Sequence, residues 1–542
     1  MPELLQIDNI GNKGINTDVA PWSLPAEFIT SGHNFRIYAG SISASGGYSD
    51  WATAPTLFNP GHVMHVGATT GDWWVVLGRD KVYAFDGGAV WNDISISTGY
   101  VGIGVDDELL WTSCILAQIP VYNNPQSTPQ FWSPQDGVSL LQPLIWSGTD
   151  TWESKSFTCE VMRSHKNFLI AMDLTEGAEH FPNVVRISTA ADINGLPYTW
   201  DETDLAGLAV RFQVGGDGGT IIDGLTLRDT FVIYSEKSID VIRFTGGEFV
   251  WQLDELSNTV GLLSRNSIIE VKGTHYFLGD GDIYSNDGTT IQSILYGRIK
   301  TQFTQRVNAD YYDRSFAVRN DTYKEIWFCV PVDDAVYPNV AYIYNWHDNS
   351  WAVRWLPYNT DTTTNPPTVL EGLTYAGYGS QTEPSTTWDT WEGTWDSQKG
   401  VWGSRNLSPL DSTIVGVIGE TSQLKVLDPR NDVDSPFKAA RIERTNFPLV
   451  SHRQVTTITR VYPYMEGTGQ VTIQFGSQDY ADAPVRWKSP IIFNPSEQRK
   501  VDLRTTGELH CWRITSVDEG QGGVGNWSMS GMGIEYEMDG AR

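Results

Sequence analysis

Carboxylates are the most abundant chemically active side chains in this sequence. Asp and Glu number 65 against 37 Lys and Arg, which gives a formal net charge of −28. Two runs, Asp106-Asp107-Glu108 and Asp333-Asp334, could supply the paired carboxylates of a glycoside hydrolase. Each run lies beside a predicted turn, where charged side chains are ordinarily solvated. Such runs are unavoidable in so acidic a chain, and these two do not indicate catalysis.

The other catalytic and metal-binding patterns are incomplete. The Asp-Gly pair at Asp287 lacks the spacing and the tryptophan of a sialidase Asp box. His62 and His65 are three residues apart, which on a strand places them on opposite faces and prevents them from chelating one metal ion. The four cysteines form no CxxC pair. We therefore predict a protein that is not an enzyme, with no catalytic residues, no metal site and no bound cofactor.

The acidity of the chain argues against a sequence-independent grip on DNA, because such binding depends on clustered Lys and Arg. One interpretation of the charge of −28 is solubility. Another is a wall that repels nucleic acid lying within a Debye length, about 8 Å at physiological salt. The charge alone does not choose between them.

The start of the chain does not resemble a secretory leader. The first ten residues include Glu3, Gln6 and Asp8, and they lack the unbroken apolar run of a signal peptide. No later stretch approaches the roughly 18 consecutive apolar residues of a membrane-spanning helix. We expect synthesis in a cytoplasm and no membrane span.

Turn residues between apolar strands recur at intervals of roughly fifty residues, which is typical of β-propeller blades. Gly, Asn and Asp tolerate the backbone conformations of tight hairpins. The markers of these turns are Asp86, Asp136, Asp192, Gly246, Asp287 and Asp348. They predict an all-β fold with a propeller of about six blades over residues 56–428. An array of β-sandwiches and a β-solenoid are the alternatives.

A tryptophan-rich insertion interrupts this pattern around residues 362–407. Its Trp388, Trp391, Trp395 and Trp402 stand among Thr, Asp and Gly at irregular spacing. They could form an aromatic platform for a glycan. They could equally pack on a neighbouring blade or subunit, and the irregular spacing favours this second interpretation.

The two terminal regions predict a further β-domain. Residues 429–542 carry alternating strands such as 470–477 and 510–517, which indicate an antiparallel sheet with one buried face. Residues 1–55 place turn-forming residues ahead of short strand segments. We predict a platform domain that is built from both terminal regions and stands beside the propeller.

Four stretches carry a resemblance to a known family. The first runs from Gly14-Ile15-Asn16-Thr17-Asp18 through Pro21 and Leu24-Pro25 to Asn34-Phe35-Arg36. It resembles the amino terminus of tail nozzle proteins of short-tailed bacteriophages, the group that includes tail tubular protein B and the packaged-DNA stabilisation proteins. Residues 224–240, 276–288 and 531–542 are similar to the same group. Each stretch is degenerate alone, and their order is the specific signal.

The resemblance implies a structural protein of the virion tail, made in the host bacterial cytoplasm. Six copies would form a ring at the distal end of the tail and continue the DNA channel below the portal and the adaptor. The implied partners are five further copies of this chain, the adaptor ring, tail fibres or spikes, the host cell surface, and double-stranded DNA that passes without specific binding. The alternative is a receptor- or carbohydrate-binding propeller of the tail.

The same resemblance implies that the amino-terminal segment helps the platform to dock on the adaptor. The candidate docking residues are Asp18, Pro21, Trp22, Leu24, Pro25, Phe28, Asn34, Phe35 and Arg36. On this hypothesis, deletion of residues 1–40 leaves a folded propeller and abolishes docking.

Overall fold

A computed structural model gives the architecture of most of the chain. It describes residues 3–541 apart from 54, 56–58, 69–70, 87–89, 98, 101–110, 135–137, 193, 205–206, 216–217, 246–250, 362–367, 381–411, 420–421, 429–438, 451–453 and 518–524. Strands dominate the described residues, and most of them form antiparallel sheets of four to six strands. The predicted all-β class is confirmed.

Seven four-stranded units follow one another along the chain, each with its innermost strand named first. Blade 1 contains Pro60–Ala68, Gly71–Gly78, Val82–Phe85 and Trp91–Asp93, and blade 2 contains Thr112–Leu116, Ile119–Asn123, Gln130–Phe131 and Gln142–Pro143. Blade 3 contains Phe157–His165, Phe168–Glu176, Glu179–Ile187 and Val210–Gln213. Blade 4 contains Ile221–Leu227, Thr230–Ser235, Ile239–Phe244 and Trp251–Ser257. Blade 5 contains Ile268–Val271, Thr274–Gly279, Asp282–Asn286 and Ile291–Ser293; blade 6 contains Phe316–Asn320, Glu325–Val330, Val340–Asn345 and Ser350–Trp355; blade 7 contains Leu373–Ser380, Ser412–Ile418, Gln423–Val426 and Ser49–Thr53.

The seven blades close into a ring. The innermost strands of blades 2 to 7 contact one another in order, and Leu373–Ser380 of blade 7 contacts Pro60–Ala68 of blade 1. Blades 1 and 2 share a hydrophobic cluster that contains Val75, Trp111 and Trp132. The predicted β-propeller is thereby confirmed, with seven four-stranded units among the described residues.

The position of the turn markers explains why the sequence pattern counts six. Every marker falls between the third and the fourth strand of blades 1 to 6. Two of them, Asp136 and Gly246, lie outside the described residues, but the strands on either side of each are described. Blade 7 takes its fourth strand, Ser49–Thr53, from the other end of the chain. It therefore has no hairpin between strands three and four and leaves no marker in the sequence.

Short elements fill the connections. Two further strand pairs are Ile145–Ser147 with Asp150–Thr151, and Asn359–Asp361 with Thr368–Glu371. The described α-helices are Trp152–Lys155 and Lys300–Arg306, and the 3₁₀-helices are Pro21–Ser23 and Tyr312–Arg314. The longer α-helix ends before Val307, whose extended backbone cannot continue the helix. None of the described helices is long and apolar enough to cross a membrane.

Both terminal regions build the platform, which consists of two packed sheets. The first platform sheet runs in the order Val501–Gly507, Gln454–Gly467, Trp527–Ala541, Ser41–Ala44 and Phe35–Tyr38, with Glu3–Asp8 also paired to Trp527–Ala541. The second runs in the order Ser31–His33, Arg441–Phe447, Leu509–Ser516, Val471–Gln478 and Arg486–Trp487, with Ile491–Phe493 also paired to Val471–Gln478. Their inner faces share one core with the propeller, in which Ile442 and Ile534 belong to the same cluster as Trp327 and Ile414.

The amino-terminal segment is shared between the platform and the propeller. Gly14–Ile15 and Phe28–Ile29 extend blade 6 beyond its fourth strand, and Gly14 pairs with Trp351. Gly14 has φ of +79°, and an added Cβ would lie 1.9 Å from the carbonyl oxygen of Trp351, so only glycine fits this approach. Residues 14–53 thus enter blade 6, both platform sheets and blade 7.

Candidate functional site

The predicted docking residues of the amino-terminal segment are largely engaged within the chain itself. Asp18 lies beside the helix Lys300–Arg306, where its carboxylate accepts the backbone N–H groups of Lys300 at 3.0 Å and Thr301 at 2.9 Å. A carboxylate at this end complements the positive end of the helix dipole and satisfies two of its unpaired N–H groups. The helix has no side-chain cap from Ile299, its own N-cap residue, so Asp18 supplies the cap from a distant part of the chain.

The middle of the segment lies on the platform. Pro21 and Trp22 form the 3₁₀-helix Pro21–Ser23, which contacts the strand Arg441–Phe447. Leu24 is buried, and its carbonyl oxygen accepts a hydrogen bond of 2.6 Å from Nη2 of Arg444. Pro25 is exposed. Pro21, Trp22 and Pro25 are therefore the predicted docking residues that reach solvent in this part of the segment.

Phe28 and Asn34 connect the segment to the propeller. The Arg298 guanidinium lies over the ring of Phe28, 4.8 Å from its centroid. The side chain of Asn34 donates to the carbonyl of Ala439 at 3.2 Å and accepts from the backbone N–H of Trp355 at 2.9 Å. Its φ of +58° is a conformation that asparagine tolerates better than most residues. Asn34 therefore bridges blade 6 to the start of the carboxy-terminal strands.

Arg36 is the centre of a buried ion network that joins the platform to blades 6 and 7. Its guanidinium donates to both carboxylate oxygens of Glu325, at 2.6 and 3.0 Å, and to both of Asp428, at 3.3 and 2.6 Å. It also lies over the ring of Tyr323, 3.6 Å from the centroid. The neighbouring Phe35 is fully buried. These contacts use the planar, five-donor geometry that distinguishes arginine from lysine.

A second arginine completes the network. Arg354 has no exposed surface, and its guanidinium donates to Asp428 at 3.4 Å and to the carbonyl oxygens of Gly46, Gly47 and Leu427. Two arginines and two carboxylates balance one another in charge, as a buried network requires. Burial alone would lower the pKa of Arg36, but Asp428 and Glu325 outweigh it and raise that pKa. The two carboxylates therefore hold Arg36 in its charged form.

Side chains of the blades meet at the propeller axis. Arg163 of blade 3 donates to the Asp223 carboxylate of blade 4 at 2.8 and 2.6 Å, to the Ser113 carbonyl of blade 2 at 3.0 Å and to the Asn266 side chain at 2.8 Å. Asn266, which precedes blade 5, donates to the Trp111 carbonyl at 3.1 Å, next to blade 2. Because blades 2 and 5 are not adjacent in the ring, this bond spans its centre.

A second set of contacts lies near the same level of the axis. His62 of blade 1 stacks on Tyr375 of blade 7, with ring centroids 4.0 Å apart, and bonds to the Ser113 hydroxyl at 2.8 Å. Burial, followed by the nearby positive charge of Arg163, lowers the pKa of His62 to about 3. Arg265, before blade 5, forms an ion pair with Glu160 of blade 3. His62 is therefore a neutral packing group, and side chains of several blades bridge the propeller axis at this level.

Apart from Arg36, which the sequence offered only as a docking candidate, the residues of these two networks were not predicted from sequence. Arg36, Asp223 and Glu325 each stand as the single charged residue of a largely apolar strand. A lone charge in a buried strand is rarely tolerated without a partner, so this pattern is the signal that could have indicated them. Their partners are up to 392 residues away in sequence and could not be paired from it.

The described residues contain no group of three or more His, Cys, Asp or Glu side chains placed to hold a metal ion. The four cysteines are buried and free. The tryptophans of the insertion, Trp388, Trp391, Trp395 and Trp402, lie outside the described residues. Their proposed glycan or subunit contacts stay a prediction.

A cleft opens beside blades 6 and 7 where the amino-terminal segment crosses them. It has a volume of about 470 Å³ and is lined in part by Trp355, Tyr358, Gln423 and Lys425. Trp355 and Tyr358 are 42% and 39% exposed, and the ring of His33 lies 5.2 Å from that of Trp355. Exposed aromatic faces next to an amide and an ammonium group can bind ligands that combine apolar and hydroxyl surface.

Neither a protein-family model nor a curated protein matches the sequence. Solved structures that resemble the fold include virginiamycin B lyase from Staphylococcus aureus with quinupristin, at 9% identity and a TM-score of 0.38 over 70% of this chain and 99% of that one. YCF48 bound to a D1 peptide has 9% identity and a TM-score of 0.36, covering 71% of this chain and 97% of that one. The WD40 domain of Neurospora crassa Pan2 has 7% identity and a TM-score of 0.36, covering 72% of this chain and 97% of that one.

Proposed function

We propose that this protein is the tail nozzle of a short-tailed bacteriophage, a structural component that retains packaged DNA and conducts it during ejection. The observation that carries the proposal is the path of residues 14–53, which extend blade 6, enter both platform sheets and close blade 7. With the buried network around Arg36, this path ties the platform and the ring of blades together. A conduit that holds DNA under load needs such a stiff connection between its parts.

The closed axis and the acidity support the same proposal. Because side chains from blades 2 to 5 bond to one another across the axis, duplex DNA would not pass through the propeller itself. The channel would instead lie between copies of the chain. At −28 per copy, walls of this protein would repel phosphate at short range and leave DNA mobile.

Cryo-electron microscopy of purified phage tails tests this function. We expect density for this chain around the tail axis at the distal end of the tail, with the platform facing the adaptor and the propellers further out. Density located only in a trimeric fibre, or away from the axial channel, would contradict the proposal.

The cleft at Trp355 and Tyr358 favours a second candidate function, the binding of a host surface glycan. We expect Trp355→Ala and Tyr358→Ala to reduce signals on a glycan array if the cleft is a sugar site. Tyr312→Ala is the matched control, because Tyr312 is also 39% exposed and does not line the cleft. Equal glycan binding by Tyr358→Ala and Tyr312→Ala would count against the cleft as a sugar site. The same array tests alanine variants of Trp388, Trp391 and Trp395.

A further inference from the structure

The platform has two edge strands with one unpaired side each. Glu3–Asp8 pairs with Trp527–Ala541, and Ile491–Phe493 pairs with Val471–Gln478. Within the described part of the chain, no other strand pairs with either of them. An unpaired edge presents a row of backbone N–H and C=O groups that can pair with another chain.

These two edges lie at opposite ends of the packed sheets. In the first platform sheet, Glu3–Asp8 lies on the side of Trp527–Ala541 that faces away from Gln454–Gly467 and Val501–Gly507. Val501–Gly507, at the far end of that sheet, contacts Val471–Gln478 of the second sheet, and this strand carries Ile491–Phe493. Two separate surfaces at opposite ends of a molecule are what a head-to-tail contact between identical chains requires.

One of these edges is acidic, and we call it the acidic edge. Glu3 and Asp8 are exposed on the edge strand itself, and Glu537 and Asp539 are exposed on the neighbouring strand. Leu4 stands between the acidic residues with 60% of its surface exposed. The acidic edge thus combines an apolar contact with negative charge.

The other edge is basic, which is unusual in a chain with a net charge of −28. This basic edge comprises Ile491–Phe493 and the exposed Arg486, Lys488, Arg499 and Lys500 around it. Arg486 pairs with Asp479 and Lys500 with Asp502, and one further exposed carboxylate, Glu497, lies in the same loop. Of the four basic residues, Lys488 and Arg499 form no ion pair with any residue that the structure describes. Ile491 and Ile492 are 36% and 58% exposed. Adjacent exposed isoleucines on an unpaired strand mark a surface that favours a partner.

We propose that the acidic edge of one copy pairs with the basic edge of the next copy. The charges are complementary, and each edge offers aliphatic side chains that the other would cover. The pairing would continue the platform sheets from one copy into the next and would close into a ring if the rotation between copies permits. This inference deepens the proposed function, and the number of copies in the ring rests on that function. The contact between two copies rests only on the two edges.

Charge reversal tests the contact by sedimentation velocity of the purified full-length chain. We expect wild-type protein to form an oligomer whose mass falls as salt is raised, because part of the contact is ionic. Lys488→Glu with Arg499→Glu reverses the basic edge, and Glu3→Lys with Asp8→Lys reverses the acidic edge. Each pair of substitutions should yield a monomer, since like charges then face one another.

Two combinations separate a lost contact from a damaged fold. A chain that carries all four substitutions has both edges reversed and should regain the wild-type mass. An equimolar mixture of the two double variants should also assemble, because each supplies an edge that complements the other. Lys237→Glu with Lys272→Glu changes the net charge by the same amount as the basic-edge variant, on exposed sites of blades 4 and 5, and should leave the mass unchanged.

The outcomes that overturn the contact are specific. Wild-type protein that stays monomeric at low salt would overturn it, as would double variants that keep the wild-type mass. Monomeric double variants that neither combination rescues would also overturn the pairing of one edge with the other. If the combinations restore assembly but the protein is absent from phage tails, only the proposed function is contradicted. If the protein is present in tails but the double variants keep the wild-type mass, only the contact is contradicted.

Discussion

Deletion of residues 1–40 is expected to abolish cooperative folding. The deleted segment buries seven apolar side chains: Ile7, Ile10, Ile15, Leu24, Ile29, Phe35 and Ile37. Burial of one such side chain contributes about 1.5–3 kcal/mol, so together they contribute on the order of 10 kcal/mol or more. This is comparable with the roughly 5–15 kcal/mol that separates most folded domains from their unfolded state. The structure thus leads us to expect the opposite of the folded core predicted from sequence.

Circular dichroism during thermal unfolding measures this effect. The truncated protein should lose the sharp transition of the wild type and expose apolar surface to a dye. Deletion of residues 1–8 is the control, because it removes a single edge strand and one buried side chain, Ile7. That shorter deletion should still unfold cooperatively while losing self-association. A protein that begins at residue 41 and melts within a few degrees of the wild type would contradict the prediction.

Arg36→Ala is expected to lower the free energy of unfolding by about 3–5 kcal/mol, the usual cost of removing one partner of a buried ion pair. The substitution leaves Glu325 and Asp428, which are 2% and 6% exposed, without their shared guanidinium. Arg354 still pairs with Asp428, whereas Glu325 keeps the indole N–H of Trp327 as a neutral donor at 2.9 Å. Uncompensated burial of the Glu325 charge therefore dominates the loss.

Urea unfolding compares this variant with two others. Arg36→Lys keeps the positive charge but cannot donate to both carboxylates in the same geometry, so its stability should lie between those of the wild type and the alanine variant. Arg460→Ala removes ion pairs with Asp502 and Glu535 at the surface and should leave the midpoint essentially unchanged. Equal midpoints for Arg36→Ala and Arg460→Ala would show that the network does not stabilise the fold.

The network also sets how the Arg36 effect depends on pH. Burial would raise the pKa of Asp428, but Arg36 and Arg354 outweigh burial and lower it. A carboxylate with a lowered folded-state pKa stabilises the fold above its unfolded pKa, about 3.9 for Asp, and loses that contribution as the pH falls through the folded value. The difference in stability between the wild type and Arg36→Ala should therefore be constant near neutral pH and shrink below about pH 4.

The sequence pattern predicted the propeller well because its signal is local. Each turn at the markers lies between two strands that are neighbours in the chain, and hairpin chemistry depends on the few residues between them. The pattern missed blade 7 because Ser49–Thr53 pairs with Gln423–Val426, more than three hundred residues away. No local turn records such a pairing.

The amino-terminal segment shows the same limit for the candidate site. Its turn residues were visible in the sequence, and their resemblance to tail nozzle proteins suggested contacts with another protein. In the structure, Leu24, Asn34, Phe35 and Arg36 are buried against other parts of this chain. A buried residue and an interface residue have the same apolar or paired character, so composition cannot distinguish them. Pro21, Trp22 and Pro25, which reach solvent, stay candidates for docking.

By itself, the sequence determined what depends on neighbouring residues: the all-β class, the fifty-residue repeat, the acidity and the β-rich character of both terminal regions. The tertiary structure decided which distant groups meet. It joined Arg36 to Glu325 and Asp428, placed Arg163 and Asn266 across the propeller axis, and left two oppositely charged edges at opposite ends of the platform. Turns and strands follow from local backbone preferences, whereas ion pairs and open edges depend on contacts between parts of the chain that only the folded state brings together.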